Sequence, residues 1–218
     1  MTADKLRQAY PEFIFHSARW RFEKRDLQIS YRYSAGEHHF EHRLTLPTST
    51  TNELIAPLVF SLGLVEMLSY WKAFASPLIT IKAGALTNAQ LAWWHHLLIR
   101  GMGEYFYLNQ IDFRAPDFVT LNSAPSPSTS LSTATSDRAQ QRNEVPKSKK
   151  ISLIPLGGGK DSIVTLELAR RQLPQADTQL RLLLVNPTEA ARAVAKESRL
   201  PQLEVRRELD PHLFSLNR

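Results

Sequence analysis

Polar and apolar residues alternate along two stretches near the start of the chain. Leu27, Ile29, Tyr31 and Tyr33 form one series, and Phe40, His42, Leu44 and Leu46 form the next. A period of two puts each series on one face of a strand. Ser34-Ala35-Gly36-Glu37 between them predicts a hairpin loop in which Gly36 supplies a positive φ. Phe13-Ile14-Phe15 predicts a further short strand. The spacing then turns helical over 52–75, with apolar residues at Leu58, Leu62, Val65, Leu68 and Trp71/Lys72 and Pro57 near the start. Leu78–Lys82 reads as a strand ending at an Ala83-Gly84 turn. Thr87 and Gln90 form a capping box for a helix through Leu91, Trp94, Leu98 and Met102, ending at Gly101 and Gly103.

From Asn122 the pattern is lost. Residues 122–149 are rich in Ser, Thr and Pro and have almost nothing to bury, which predicts a linker. Beyond it, Ile151–Leu156 reads as a buried strand, Ser162–Gln172 as a helix stopped by Pro174, and Leu180–Val185 as a strand. Pro187–Arg199 follows as a helix and Leu203–Val205 as a third strand. This βαβαβ run predicts a parallel sheet with right-handed crossovers. The expected architecture is an α+β N-terminal domain (1–121), the linker (122–149) and a partial α/β domain (150–218).

Composition narrows the chemistry. The chain of 218 residues has no Cys, so disulfides, thiolate catalysis and cysteine metal sites are excluded. It carries neither a signal-like N-terminus nor a long uninterrupted apolar run; Leu54–Phe74 is broken by Pro57, Glu66 and Lys72. A cytoplasmic protein without a membrane partner is expected. The net charge of +6 suits an enzyme of anionic substrates as well as a nucleic-acid binder. Lys147-Ser148-Lys149-Lys150 reads as a solvated stretch of linker, so nucleic acid is not the expected partner.

One segment points to a ligand. The strand Ile151–Leu156 runs directly into Gly157-Gly158-Gly159-Lys160-Asp161-Ser162 and a helix begins at once. Glycines let a backbone pass close to a ligand, and a helix start offers unpaired N–H groups to an anion. Lys160 adds a mobile positive charge, Asp161 could hold Mg²⁺ or cap the helix, and the Ser162 hydroxyl could donate to a phosphate. The P-loop pattern does not fit, because Ile154 and Asp161 stand where it needs Gly and Ser or Thr. The dinucleotide-binding pattern fails at Ser162. The segment closely resembles the PP-loop, S-G-G-x-D-S, with Gly157 in place of the leading Ser. That resemblance implies an adenine nucleotide alpha-hydrolase-like domain that cleaves ATP between its α- and β-phosphates, with ATP and Mg²⁺ as cofactors.

Taken whole, the chain resembles the bacterial UDP-N-acetylmuramoyl-L-alanyl-L-glutamate epimerases. The resemblance runs through Ile29–Tyr33 with Phe40-Glu41, Gly103-Glu104-Tyr105-Phe106-Tyr107 with Asn109, and Ile154–Ser162. It continues through Val185-Asn186-Pro187 and Leu209-Asp210-Pro211 to Leu216-Asn217. It implies ATP- and Mg²⁺-dependent inversion of the terminal L-glutamate of UDP-MurNAc-L-Ala-L-Glu in peptidoglycan synthesis. Adenylating the carboxylate would remove its charge and acidify Cα for proton removal and return. Another adenylating PP-loop enzyme, such as a tRNA-modifying one, and a non-catalytic nucleotide-binding remnant are the alternatives.

The sequence does not identify the acid and base; Lys160 and Glu104 are the candidates, with Tyr105 and Asn109 near Glu104. His95 and His96 lie on a helix and read as packing or surface residues. His38, His39 and His42 crowd the hairpin densely enough for a metal, although a polar hairpin accounts for them. Only about three strands follow residue 150, where a PP-loop sheet needs about five. A truncated N-terminal portion is therefore expected, with exposed apolar sheet surface and a complementing C-terminal fragment.

Overall fold

The structure is a computed structural model and describes residues 3–48, 55–125, 150–173 and 178–216. A short helix, α1 (Ala3–Ala9), leads into an antiparallel meander of β1 (Glu12–Glu23), β2 (Asp26–Ala35) and β3 (His38–Pro47). The helix α2 (Ile55–Trp71) packs across β1 and β2. The strand β4 (Leu78–Leu86) then pairs parallel to β1. The helices α3 (Asn88–Gly101) and α4 (Gly103–Leu108) precede β5 (Thr120–Pro125), which lies parallel to β4. The second part runs β6 (Lys150–Pro155), α5 (Lys160–Gln172), β7 (Thr178–Val185), α6 (Glu189–Ser198), β8 (Gln202–Glu208) and α7 (Pro211–Ser215). Its strands are mutually parallel, and β8 turns antiparallel onto β3 through Arg43↔Glu208, Leu44↔Arg207 and Thr45↔Arg206. The described strands thus form one mixed α/β sheet in the order β5-β4-β1-β2-β3-β8-β7-β6.

The main core lies between the meander and α2. A bulge at His16 shifts the β1–β2 register between Phe15 and Ser17. It keeps Phe13 and Phe15 on the same inner face as Ala18 and Trp20, which simple alternation would not allow. Tyr31 and Tyr33 are buried there, and their hydroxyls donate to helix carbonyls, Val59 O at 2.9 Å and Gly63 O at 2.8 Å. Burial without those acceptors would leave two orphaned donors. Gly63 is where the helix meets the rings most closely: a Cβ would stand 2.6 Å from Phe15 Cζ and 2.7 Å from Tyr31 Cε1. A second core, of Ile154, Leu166, Leu182, Leu184, Ala191 and Ala195, seats α5 and α6 on the opposite face of β6–β8.

Several expectations need correction. β1 extends to Glu23, well beyond Phe15, because its outer half alternates around the bulge. Ala83-Gly84 is no turn: β4 continues to Leu86 through an irregular register, with Phe60 packed where a Gly84 side chain would stand. The α2 face is also different. Leu58 is 62% and Val65 48% exposed, while Ile55, Val59, Gly63, Met67 and Tyr70 are buried. The helix is apolar almost all round, so spacing alone cannot choose a face. Gly103 begins a second helix instead of trailing from α3. Asn122–Pro125, read as linker, belong to β5; residues 126–149 of that reading and Pro174 lie outside the described residues. The expected hairpin with Gly36 at φ +54° and the Thr87/Gln90 capping box are both present. Exposed apolar sheet surface is present too, at Ile151, Leu153 and Val185.

Candidate functional site

The glycine turn lies at the C-terminal end of β6, the edge of a parallel sheet where ligands collect in α/β folds. Leu156 is buried and its N–H is held by Leu183 O at 2.9 Å, which anchors the strand before the turn. Gly158 has φ +83°, and a Cβ there would meet the Ala191 backbone N at 2.8 Å. Only glycine fits that position, for conformation and for space together. Gly157 and Gly159 have nothing within 4 Å of where a side chain would begin. Gly159 caps α5 without a side-chain hydrogen bond, so the first-turn N–H groups meet no capping side chain. Lys160 and Asp161 are exposed, whereas the Ser162 hydroxyl donates back to Gly159 O at 2.8 Å. These six residues form a continuous turn with one cation and one carboxylate at the helix start.

The neighbouring strand end is stitched to the same edge. Asn186, at φ +44°, accepts from the Arg207 N–H at 2.8 Å and donates its amide to Arg207 O at 2.6 Å. Thr188 then caps α6 by accepting from Ala191 N–H, so the start of α6 and Gly158 support each other.

Arg207 points to the other face and enters a buried network. Its Nε donates to Glu66 Oε2 at 2.8 Å and its Nη2 to Ser69 Oγ at 2.9 Å, both on α2. His42 is fully buried beside them, with Nε2 3.4 Å from Glu66 Oε2 and Nδ1 3.0 Å from the Tyr70 hydroxyl. The Asp210 N–H donates to that hydroxyl at 3.0 Å. His42 Nδ1 and the Tyr70 hydroxyl thus share one hydrogen bond whose direction follows the ring tautomer, while the buried Nε2 faces Glu66 without a hydrogen-bond partner. Burial pushes the His42 pKa down to about 4, with Arg207 adding to the effect against the opposing pull of Glu66. Asp210 also caps α7 through His212 N–H, with Pro211 at the first helical position, and accepts from Glu41 N–H at 2.7 Å. β3, α2 and β8 are thereby fixed at the edge that bears the glycine turn.

The MurL N-terminal domain model matches residues 4–218. The chain belongs to the MurL family. Among relatives, a UDP-N-acetyl-alpha-D-muramoyl-L-alanyl-L-glutamate epimerase of Micromonospora sp. is 32% identical over 188 residues, covering 84% of this chain and 38% of the relative. The protein of the same name from Salinispora tropica is 31% identical over 203 residues, covering 84% and 37%. One from Xanthomonas oryzae is 27% identical over 160 residues, covering 72% and 31%. The chain thus spans under two fifths of the length of these MurL relatives. No solved structure gives a significant match.

Within this MurL domain the other expected residues lie apart from the turn. Glu104 is exposed on α4, beside the β4–β5 end of the sheet, whereas the turn follows β6 at the opposite edge. Tyr105 donates to Lys72 O at 2.8 Å and Asn109 to Tyr105 O at 2.8 Å, so both fasten α4 in place. His95 is half-buried and His96 exposed. The three hairpin histidines diverge: His42 faces inward, His38 meets Tyr10 and His212, and His39 lies on the outer face. Among the described residues no three His, Asp or Glu side chains are placed to hold a metal. Glu66 and Arg207 carried no sequence signal; Asp210 did, as an Asp-Pro helix start.

Proposed function

We propose that this chain supplies the nucleotide-binding turn of an ATP- and Mg²⁺-dependent epimerase that inverts the terminal L-glutamate of UDP-MurNAc-L-Ala-L-Glu. The observation that carries the reading is the Gly157–Ser162 turn, uncapped at α5 and shaped by Gly158 against Ala191, within a chain matching the MurL domain from residue 4 to 218. The turn suits a polyphosphate: the glycines leave room for close backbone approach, and Lys160 stands exposed at the helix start.

ATP, when bound, would give its α-phosphoryl group to the substrate carboxylate as pyrophosphate leaves. The backbone N–H groups at 159–162 would orient its phosphates, Lys160 would neutralise developing charge, and Asp161 would offer a carboxylate to Mg²⁺. Ser162 serves the turn by bonding Gly159 O, and reaches a ligand only by breaking that bond.

The test is incubation of the purified chain with ATP, Mg²⁺ and UDP-MurNAc-L-Ala-L-Glu, alone and with the remaining region of a relative, followed by assay for AMP and D-glutamate. Formation of both, abolished by Lys160→Ala, is expected. AMP formation with tRNA and none with the muramoyl dipeptide overturns the reading. In a second reading this chain binds nucleotide without turning over. It predicts Lys160-dependent ATP binding and no AMP in either arm.

A further inference from the structure

The face of β1, β2 and β3 opposite α2 carries no helix among the described residues, and at β8 it borders α6, whose Arg192 pairs with Glu204. Register places Arg19 and Arg21 of β1, Arg32 of β2, Arg43 of β3 and Arg206 of β8 on it together. They line two adjoining hollows of about 660 and 490 Å³ that share Arg19 and Glu41. Arg21, Arg43 and Arg206 are paired with Glu23, Glu41 and Glu208. Arg19 and Arg32 are exposed and, among the described residues, have no carboxylate within ion-pair distance. Five arginines thus stand against Glu41, Glu208 and Asp210 in the lining, with His16 and His39 beside them. Burial lowers the His16 pKa, and Lys82, His39 and Arg32 add to the lowering against the opposing pull of Glu12.

Position gives this trough its meaning. Arg206 and Glu208 lie on the same sheet face as α5 and α6, since Glu204 of that face pairs with Arg192 of α6. The trough ends at Asp210, just past the C-terminal end of β8, and the glycine turn leaves the C-terminal end of β6 two strands away. At the usual strand spacing the turn is roughly 10 Å from β8 and roughly 19–24 Å from Arg32 and Arg19, which stand four and five strands away. A ligand anchored by phosphates in the trough would therefore present its far end towards the turn. Guanidinium groups without carboxylate partners are suited to bidentate phosphate recognition.

We propose that the Arg19–Arg32 trough binds the diphosphate of the UDP-linked substrate, separately from the ATP turn; this rests on the epimerase reading for the identity of the ligand. The test is calorimetric titration of the 218-residue chain with UDP-MurNAc-L-Ala-L-Glu and, separately, with Mg-ATP. Both arginines are exposed, so Arg19→Ser/Arg32→Ser is expected to keep the fold, checked by circular dichroism. It should weaken the UDP ligand about tenfold or more while leaving ATP unchanged. Arg19→Lys/Arg32→Lys should recover part of the affinity. Lys160→Ala should do the reverse, weakening ATP alone. Arginine-dependent UDP-ligand binding without any ATP binding would sink the nucleotide-turn reading and leave the trough standing. Wild-type affinity in the Ser variant, no UDP-ligand binding by the wild type, equal loss of ATP, or arginine-dependent displacement of the UDP ligand by an RNA oligonucleotide would overturn the trough.

Discussion

Acidification below pH 6.5 should destabilise this fold through His42. The folded ring has a pKa pushed down to about 4 by burial, against an ordinary value of 6.5. Its pKa being lower in the folded state, His42 contributes stability above pH 6.5 and loses it as pH falls towards 4. Between pH 7.5 and 5.0 the unfolded chain takes up nearly one proton that the folded chain refuses, a difference of about 2 kcal/mol. Arg207, 28% exposed, admits some solvent to the network, which trims the loss to about 1–2 kcal/mol. The assay is urea unfolding of wild type and His42→Gln at both pH values. Glutamine can accept from Tyr70 but does not titrate, so the wild type should lose that much more than the variant, or roughly 2–8 °C in Tm. Parallel pH dependences in the two proteins, or a His42 ring resonance titrating near 6.5, would refute the assignment of a neutral buried imidazole.

Other consequences follow from the same geometry. Gly158→Ala forces a side chain onto φ +83° and against Ala191 N, so ATP affinity measured by calorimetry should fall while the far-ultraviolet dichroism of the meander is kept. Gly63→Ala overpacks Phe15 and Tyr31; its cost of about 1–3 kcal/mol outweighs a helix-propensity gain of at most about 1, to be read from urea midpoints. Arg207→Met leaves Glu66 buried without its arginine and beside only the His42 ring, a loss of roughly 2–4 kcal/mol that Glu66→Gln in the same chain should partly restore in a double-mutant cycle.

What could be read in the sequence was local. The Thr87/Gln90 box, the Gly36 hairpin and the glycine turn are signals carried within a few residues, and each is where it was expected. The face of α2 was not legible, because a helix apolar all round gives spacing no contrast; its orientation is decided by Gly63 and the tyrosines beneath. Glu66 reads as an interruption of an apolar run, yet it is the partner of Arg207, 141 residues away. The β3–β8 seam was hidden for a similar reason. Arg43, Thr45, Arg206 and Glu208 alternate as any half-exposed strand would, and alternation does not name a neighbour. In the site, the turn was visible but its supports, Asn186 and Ala191, were not, since they act through strand ends and backbone contact.

The β3–β8 seam also orders events during synthesis. Arg43 pairs with Glu208, 165 residues later (208 − 43), so the free edge of β3 waits for nearly the whole chain. At about 5–20 residues per second the wait is roughly 8–33 s. For that interval the meander and α2 can bury the aromatic core while β3 presents open backbone hydrogen-bonding groups. Glu41 and Arg43 punctuate that edge with charge, which discourages pairing with another nascent copy. The glycine turn, already made, gains its fixed position only when β8 closes the gap.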